Sequence, residues 1–186
     1  MKKNGLGLIR RQWAGLAVVA VLAGPLLACT ASAVVPPASL PARSTVLSAT
    51  GVAAVDHFRR NMLESLNRVR TANGAGTLRL NRALDDAAQA HAEDMARHGF
   101  MAHVGSDGSG PAERLTQAGY RFWAYGENVA QGQTSIDQVI SDWMNSPSHR
   151  DNMLDPGLDE LGVGYAEGPA RGNVPGFYWA IELGRR

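Results

Sequence analysis

Apolar residues at Val55, Phe58, Met62, Leu66 and Val69 recur every three or four positions and predict a helix with one apolar stripe, stopped by Asn73-Gly74. Thr77-Leu78-Arg79-Leu80 reads as a short extended piece, and Asn81 after it is placed to cap a second helix. In that helix Leu84, Ala87, Ala88, His91 and Met95 form the inward face. Asp85, Asp86, Glu93, Asp94 and Arg97 form the solvated face, and His98-Gly99 closes it. A Gly-rich stretch from Gly105 to Gly110 opens a short helix, Pro111 to Ala118. Ser135 caps a fourth helix that turns Ile136, Val139, Ile140 and Trp143 inward. The period then changes: Leu161 to Tyr165 and Phe177 to Ile181 read as strands separated by a Gly/Pro loop. Helices first and strands last predict an α+β fold with a small, mostly antiparallel sheet.

Ahead of Val55 the chain has no such faces. Lys2, Lys3, Arg10 and Arg11 precede an apolar run from Ala14 to Ala28, too short for a comfortable membrane span and broken by Gly24-Pro25. We read residues 1–28 as a signal peptide, 29–54 as an Ala/Pro/Ser-rich tether and 55–186 as the domain. Leu26-Leu27-Ala28-Cys29 has the form of a lipobox, with Cys29, the sole cysteine, as the acylated residue. Ala31-Ser32-Ala33 offers ordinary cleavage instead, and Arg10-Arg11 is a weak twin-arginine hint. Either route predicts an exported, extracytoplasmic protein, held to the membrane if Cys29 is acylated.

The formal net charge of +1 hides an asymmetry: from Arg43 onward 14 arginines face 17 acidic residues. A mildly acidic domain without a basic stripe argues against nucleic acid as a partner. The sequence holds no G-x-S-x-G elbow, no H-E-x-x-H, no Walker loop and no dinucleotide fingerprint. Polar residues that propensity does not require stand out instead: His103, Gly126-Glu127-Asn128, and Ser146-Pro147-Ser148-His149-Arg150.

An ordered set of motifs runs through the domain. It comprises His91-Ala92-Glu93-Asp94-Met95, Phe100-Met101-Ala102-His103, Asp107-Gly108, Arg114, Ala118-Gly119-Tyr120 and Gly126-Glu127-Asn128-Val129-Ala130-Gln131-Gly132. Trp143 to Leu154 and Leu161-Gly162-Val163-Gly164 complete it. This set resembles the bacterial branch of the CAP (SCP) domain family, over roughly residues 58–184. The resemblance implies a three-layer α-β-α sandwich and a cleft lined by two histidines and acidic residues. His103 matches the first cavity histidine, Glu127 the Glu of the Gly-Glu-Asn motif, and His149 the second histidine. Ser146 stands where the family carries a second Glu, and Ala180 and Ile181 stand where it usually has a Gln.

Two readings of that set are open. His103, Glu127 and His149 suit a divalent ion such as zinc, with water or Ser146 completing the shell. They equally suit a structural network in which Glu127 accepts from both histidines, the reading we favour. His91 reads as a core histidine, His57 and His98 as surface ones, Ser146 as a cap for the segment carrying His149, and Arg150 as a carboxylate partner. The leading functional expectation is a non-enzymatic module binding a ligand or partner in the His/Glu/His cavity. A lipid or cell-envelope component is one such ligand, since lipid binding occurs in the wider superfamily. The alternative is a metal-dependent hydrolase, protease or esterase, using the same cavity. A Ser146 or Ser148 nucleophile activated by His149 ranks last, because such near neighbours in sequence lack the independence usual in triads.

Overall fold

The computed structural model describes residues 49–186; the expected signal peptide, Cys29 and nearly all of the tether lie outside the described residues. Helix α1 (Ala49–Ala72) begins ahead of the expected start at Val55. Strand β1 (Arg79–Leu80), helix α2 (Arg82–His98) and helix α3 (Pro111–Gln117) follow. Next come strand β2 (Ala124–Gln131), helices α4 (Ile136–Asn145) and α5 (Pro147–Leu154), and strands β3 (Glu160–Glu167) and β4 (Phe177–Arg185). Asn81, Ser135 and Gly99 cap as the sequence leads one to expect. The Asn81 side chain accepts from Ala83 N and Leu84 N, Ser135 accepts from Gln138 N, and Gly99 ends α2 at φ 64°.

The sheet runs β1-β3-β4-β2. Only the short β1–β3 pair is parallel; β3–β4 and β2–β4 are antiparallel. Period-two alternation along β4 sends Trp179, Ile181 and Leu183 into a core with Met62, Leu66, Val139, Ile140, Trp143 and Met153. Tyr178 and Ala180 meet Ala88, Ala92 and Met95 of α2 on the opposite face. Helices therefore cover both faces, giving a three-layer α-β-α sandwich.

Gly162 and Gly164 explain why the Leu-Gly-Val-Gly strand reads as it does. A β-carbon at Gly162 would fall inside the Leu84 backbone, and one at Gly164 inside that of Ala88. The glycines let α2 lie directly on β3. This contact also corrects the reading of α2's outer face. Asp85 is 5 % exposed, accepts from Val163 N at 2.9 Å and pairs with Arg59 at 3.5 Å. Burial, the largest influence, raises its pKa against the pull of that bond and of Arg59.

Strand β2 is a sheet edge and was not legible as a strand, because AYGENVAQ carries too much polarity and glycine. Its outward carbonyls are capped by side chains. Asn152 Nδ2 donates to Glu127 O at 3.0 Å, and Trp143 Nε1 donates to Val129 O at 3.2 Å. Helices α4 and α5 thus seal an edge that would otherwise invite another strand.

Candidate functional site

Glu127 lies on the α2 side of β2 and is 5 % exposed. A carboxylate this deep needs donors on both oxygens. His103 Nδ1 lies 2.6 Å from Oε1, and the Arg114 guanidinium donates to Oε2 at 2.5 Å. His103 comes from the loop after α2 and Arg114 from α3. Arg114 also donates to the His103 carbonyl at 3.0 Å and to the Ser109 carbonyl at 2.8 Å, so it clamps the loop that presents the imidazole. The imidazole itself is 53 % exposed. One end of this network is buried and charged; the other, the His103 ring, faces solvent.

His149 arrives from the other layer. It sits on α5, and its carbonyl accepts from Asn128 Nδ2 at 3.0 Å, while Asn152 Nδ2 donates to Asn128 Oδ1 at 2.9 Å. The two asparagines dock α5 on β2 and carry His149 to the rim. Its pKa is lowered, first by burial and second by the charge of His103. Glu127 makes no hydrogen bond to His149 among the described residues, so the expected two-histidine network is replaced by a His103–Glu127–Arg114 one.

Ser146 sits at the joint of α4 and α5 as N-cap of the latter, but its hydroxyl makes no capping hydrogen bond. Arg150, expected to pair with a carboxylate, is exposed and has no ion pair among the described residues. His91 is 1 % exposed; its Nε2 donates to Ala102 O at 2.9 Å and lies 3.8 Å from Glu127 Oε2. Burial above all lowers its pKa, so it is a neutral wall of the site. Arg114 appeared among the motif residues without a role; an arginine in a short helix gives no sequence signal that its head is buried.

A zinc ion does not fit this donor set. Glu127, the one carboxylate of the expected triad, has its oxygens committed to an imidazole and a guanidinium, and the fixed positive charge of Arg114 opposes a second cation there. Among the described residues no group of three His, Cys, Asp or Glu side chains could hold a metal ion.

The sequence profile of the cysteine-rich secretory protein family, CAP, matches residues 63–183. The chain belongs to the CAP family. Bacillus subtilis YkwD, an uncharacterized protein, is 30 % identical to this CAP domain over 126 residues, which are 68 % of this chain. The match spans 49 % of YkwD, so the chain corresponds to about half of that relative. The CAP fold recurs in an extracellular SCP-domain protein of Bacillus anthracis, with a TM-score of 0.62 and 22 % identity over 70 % of this chain and 41 % of that one. It recurs also in an outer surface protein of Borrelia burgdorferi, with a TM-score of 0.61 and 19 % identity over 68 % of this chain and 91 % of that one.

Proposed function

We infer that this is an extracytoplasmic CAP module that binds a ligand or partner through the His103/Glu127/His149 cleft and performs no hydrolysis there. The observation that carries the reading is the commitment of Glu127. Glu127 is buried between His103 and Arg114, so this carboxylate is not free to act as a general base, and Ser146 and Ser148 make no hydrogen bond to His149 among the described residues, so neither hydroxyl is set up as a nucleophile. What the cleft does offer is an exposed His103 imidazole oriented from behind by Glu127, and a half-buried His149 beside it: two hydrogen-bonding groups on a rigid frame.

An extracytoplasmic location is supported by the leader-like start of the sequence and by the extracellular and outer-surface descriptions of the two structural relatives. No helix among the described residues is long and apolar enough to cross a membrane. Anchoring through Cys29 belongs to the same proposal, and Cys29→Ala should move the protein from the detergent phase to the aqueous one.

The test of the cleft is imidazole NMR on the exported protein during titration with phosphatidylglycerol vesicles and with soluble peptidoglycan fragments. Saturable shifts at His103 and His149 that vanish in Glu127→Gln support binding. Casein or p-nitrophenyl ester hydrolysis that requires added zinc and disappears in His103→Ala would overturn it in favour of the hydrolase.

A further inference from the structure

Glu182 played no part in the motifs, yet it stands directly opposite Glu127 in the β2–β4 register and is 0 % exposed. Neither of its oxygens meets a donor from the rest of the protein. Glu127 from β2 and Arg114 from α3 act on it, and His91 of α2 lies 3.8 Å from Glu127 Oε2. The terminal nitrogens of Arg114 are already given to Glu127, His103 O and Ser109 O. An ionised carboxylate in this position would be buried, without donors, and next to a second carboxylate. A carboxylic acid is different: its O–H has an acceptor at hand in Glu127. Burial first, and then the charge and hydrogen bonding of Glu127, push the Glu182 carboxyl well above the usual carboxylate range, with Arg114 opposing.

We propose that Glu182 is a second buried carboxyl of the cleft, a neutral acid whose O–H donates to Glu127 and holds it in the orientation that serves His103 and Arg114. The proposal rests on the reading of the cleft as a binding site and adds a positioning residue to it. Glu127 then carries three donors: an imidazole, a guanidinium and a carboxylic acid. Its charge and direction are fixed before any ligand arrives. The choice of Glu over an apolar residue at a fully buried strand position follows from this role, since Leu or Val would leave Glu127 one donor short.

The experiment needs no ligand, so its failure is distinct from failure of the binding reading. The infrared difference between wild type and Glu182→Gln at neutral pH should show the carbonyl stretch of a neutral carboxylic acid; its absence overturns the proposal. A thermal series gives a second readout. The folded protein keeps a proton on Glu182 that the unfolded chain releases at ordinary carboxylate pH, so wild-type stability falls as pH rises through that window. Glu182→Gln keeps a donor without this proton. Its Tm relative to wild type should climb between about pH 5 and about pH 8, by about 2–4 °C or more. A Tm difference that stays flat or falls over the same range would mean that Glu182 holds no extra proton in the fold, and overturns the proposal. Positioning is read at His103: its imidazole ring signals should match wild type in Glu182→Gln and change position in Glu182→Leu. Unchanged His103 signals in all three refute positioning. Should the Leu variant not fold, Glu182→Met, which keeps the bulk and removes the donor, replaces it with the same expected change.

Discussion

Arg114 reaches Glu127 Oε2 at 2.5 Å and the carbonyl of His103 at 3.0 Å, so one guanidinium fixes both the carboxylate and the backbone of the imidazole it faces. Nη2 makes both of these bonds while Nη1 donates to Ser109 O, so the planar guanidinium holds three acceptors in one fixed arrangement that a flexible ammonium would not pre-organise. Removing the guanidinium strands a buried carboxylate. Arg114→Met should cost about 3–5 kcal/mol in chemical denaturation, Arg114→Lys distinctly less, and both should broaden the His103 imidazole signal. A Met variant within about 1 kcal/mol of wild type would mean that Glu127 does not depend on Arg114 for its charge.

Far from the cleft, Glu160 of β3 makes the opposite use of burial. It is 1 % exposed and accepts from Arg79, Asn81, Tyr120 and Arg186. Its burial alone would raise the pKa; the hydrogen bonds from Arg186, Tyr120 and Asn81 outweigh that and bring it down to about 2. A depressed carboxylate stabilises the fold above its unfolded pKa and loses that contribution as pH falls through the folded one. Stability should therefore drop between about pH 4.5 and about pH 2. Glu160→Gln should lose about 2 kcal/mol at neutral pH and flatten that acid limb in urea titrations. A variant with an unchanged acid limb would place the acid sensitivity elsewhere.

The close approach of α2 to β3 makes a third expectation sharp. Gly164→Ala sets a methyl group against backbone atoms of Ala88, which cannot swing away as a side-chain tip could. The helix must lift from the sheet, and a loss of about 2–3 kcal/mol or more is expected. Gly74→Ala is the control: open space surrounds its β-carbon position, and only the left-handed φ of 75° is strained. A Gly164→Ala loss no larger than that of Gly74→Ala would mean that the helix–sheet contact does not demand glycine in the strand.

Much of the frame was legible because it follows local rules. The apolar periodicity of α1 and α2, the Asn81 and Ser135 caps and the alternating apolar runs of β3 and β4 each point to one conformation. Failures came where tertiary contacts overrode local signals. β2 is a strand because β4 pairs along its whole length and because Trp143 and Asn152 cap its free edge, neither of which periodicity can show. Asp85 sits on the polar stripe of its helix, yet it is buried because β3 presses close where glycine permits. At the site, His103 and Glu127 carried motif signals, whereas Arg114 and Glu182 became visible only through register and burial.

The last expectation tests whether His149 shares the cleft with His103. Two causes lower the His149 pKa, burial being the larger and repulsion from the His103 imidazolium the smaller. His103→Ala removes only the second. The His149 titration followed by NMR should then move up by a few tenths of a pH unit and stay below the value of an exposed histidine, because desolvation persists. Added salt should reproduce part of the same shift in wild type and none in the variant, since screening acts on the pair and not on burial. A His149 midpoint indifferent to both would separate the imidazoles, and the cleft would reduce to His103, Glu127 and Arg114. Full recovery of an ordinary midpoint in His103→Ala would instead make repulsion the dominant cause, with the two rings in closer contact than burial allows for.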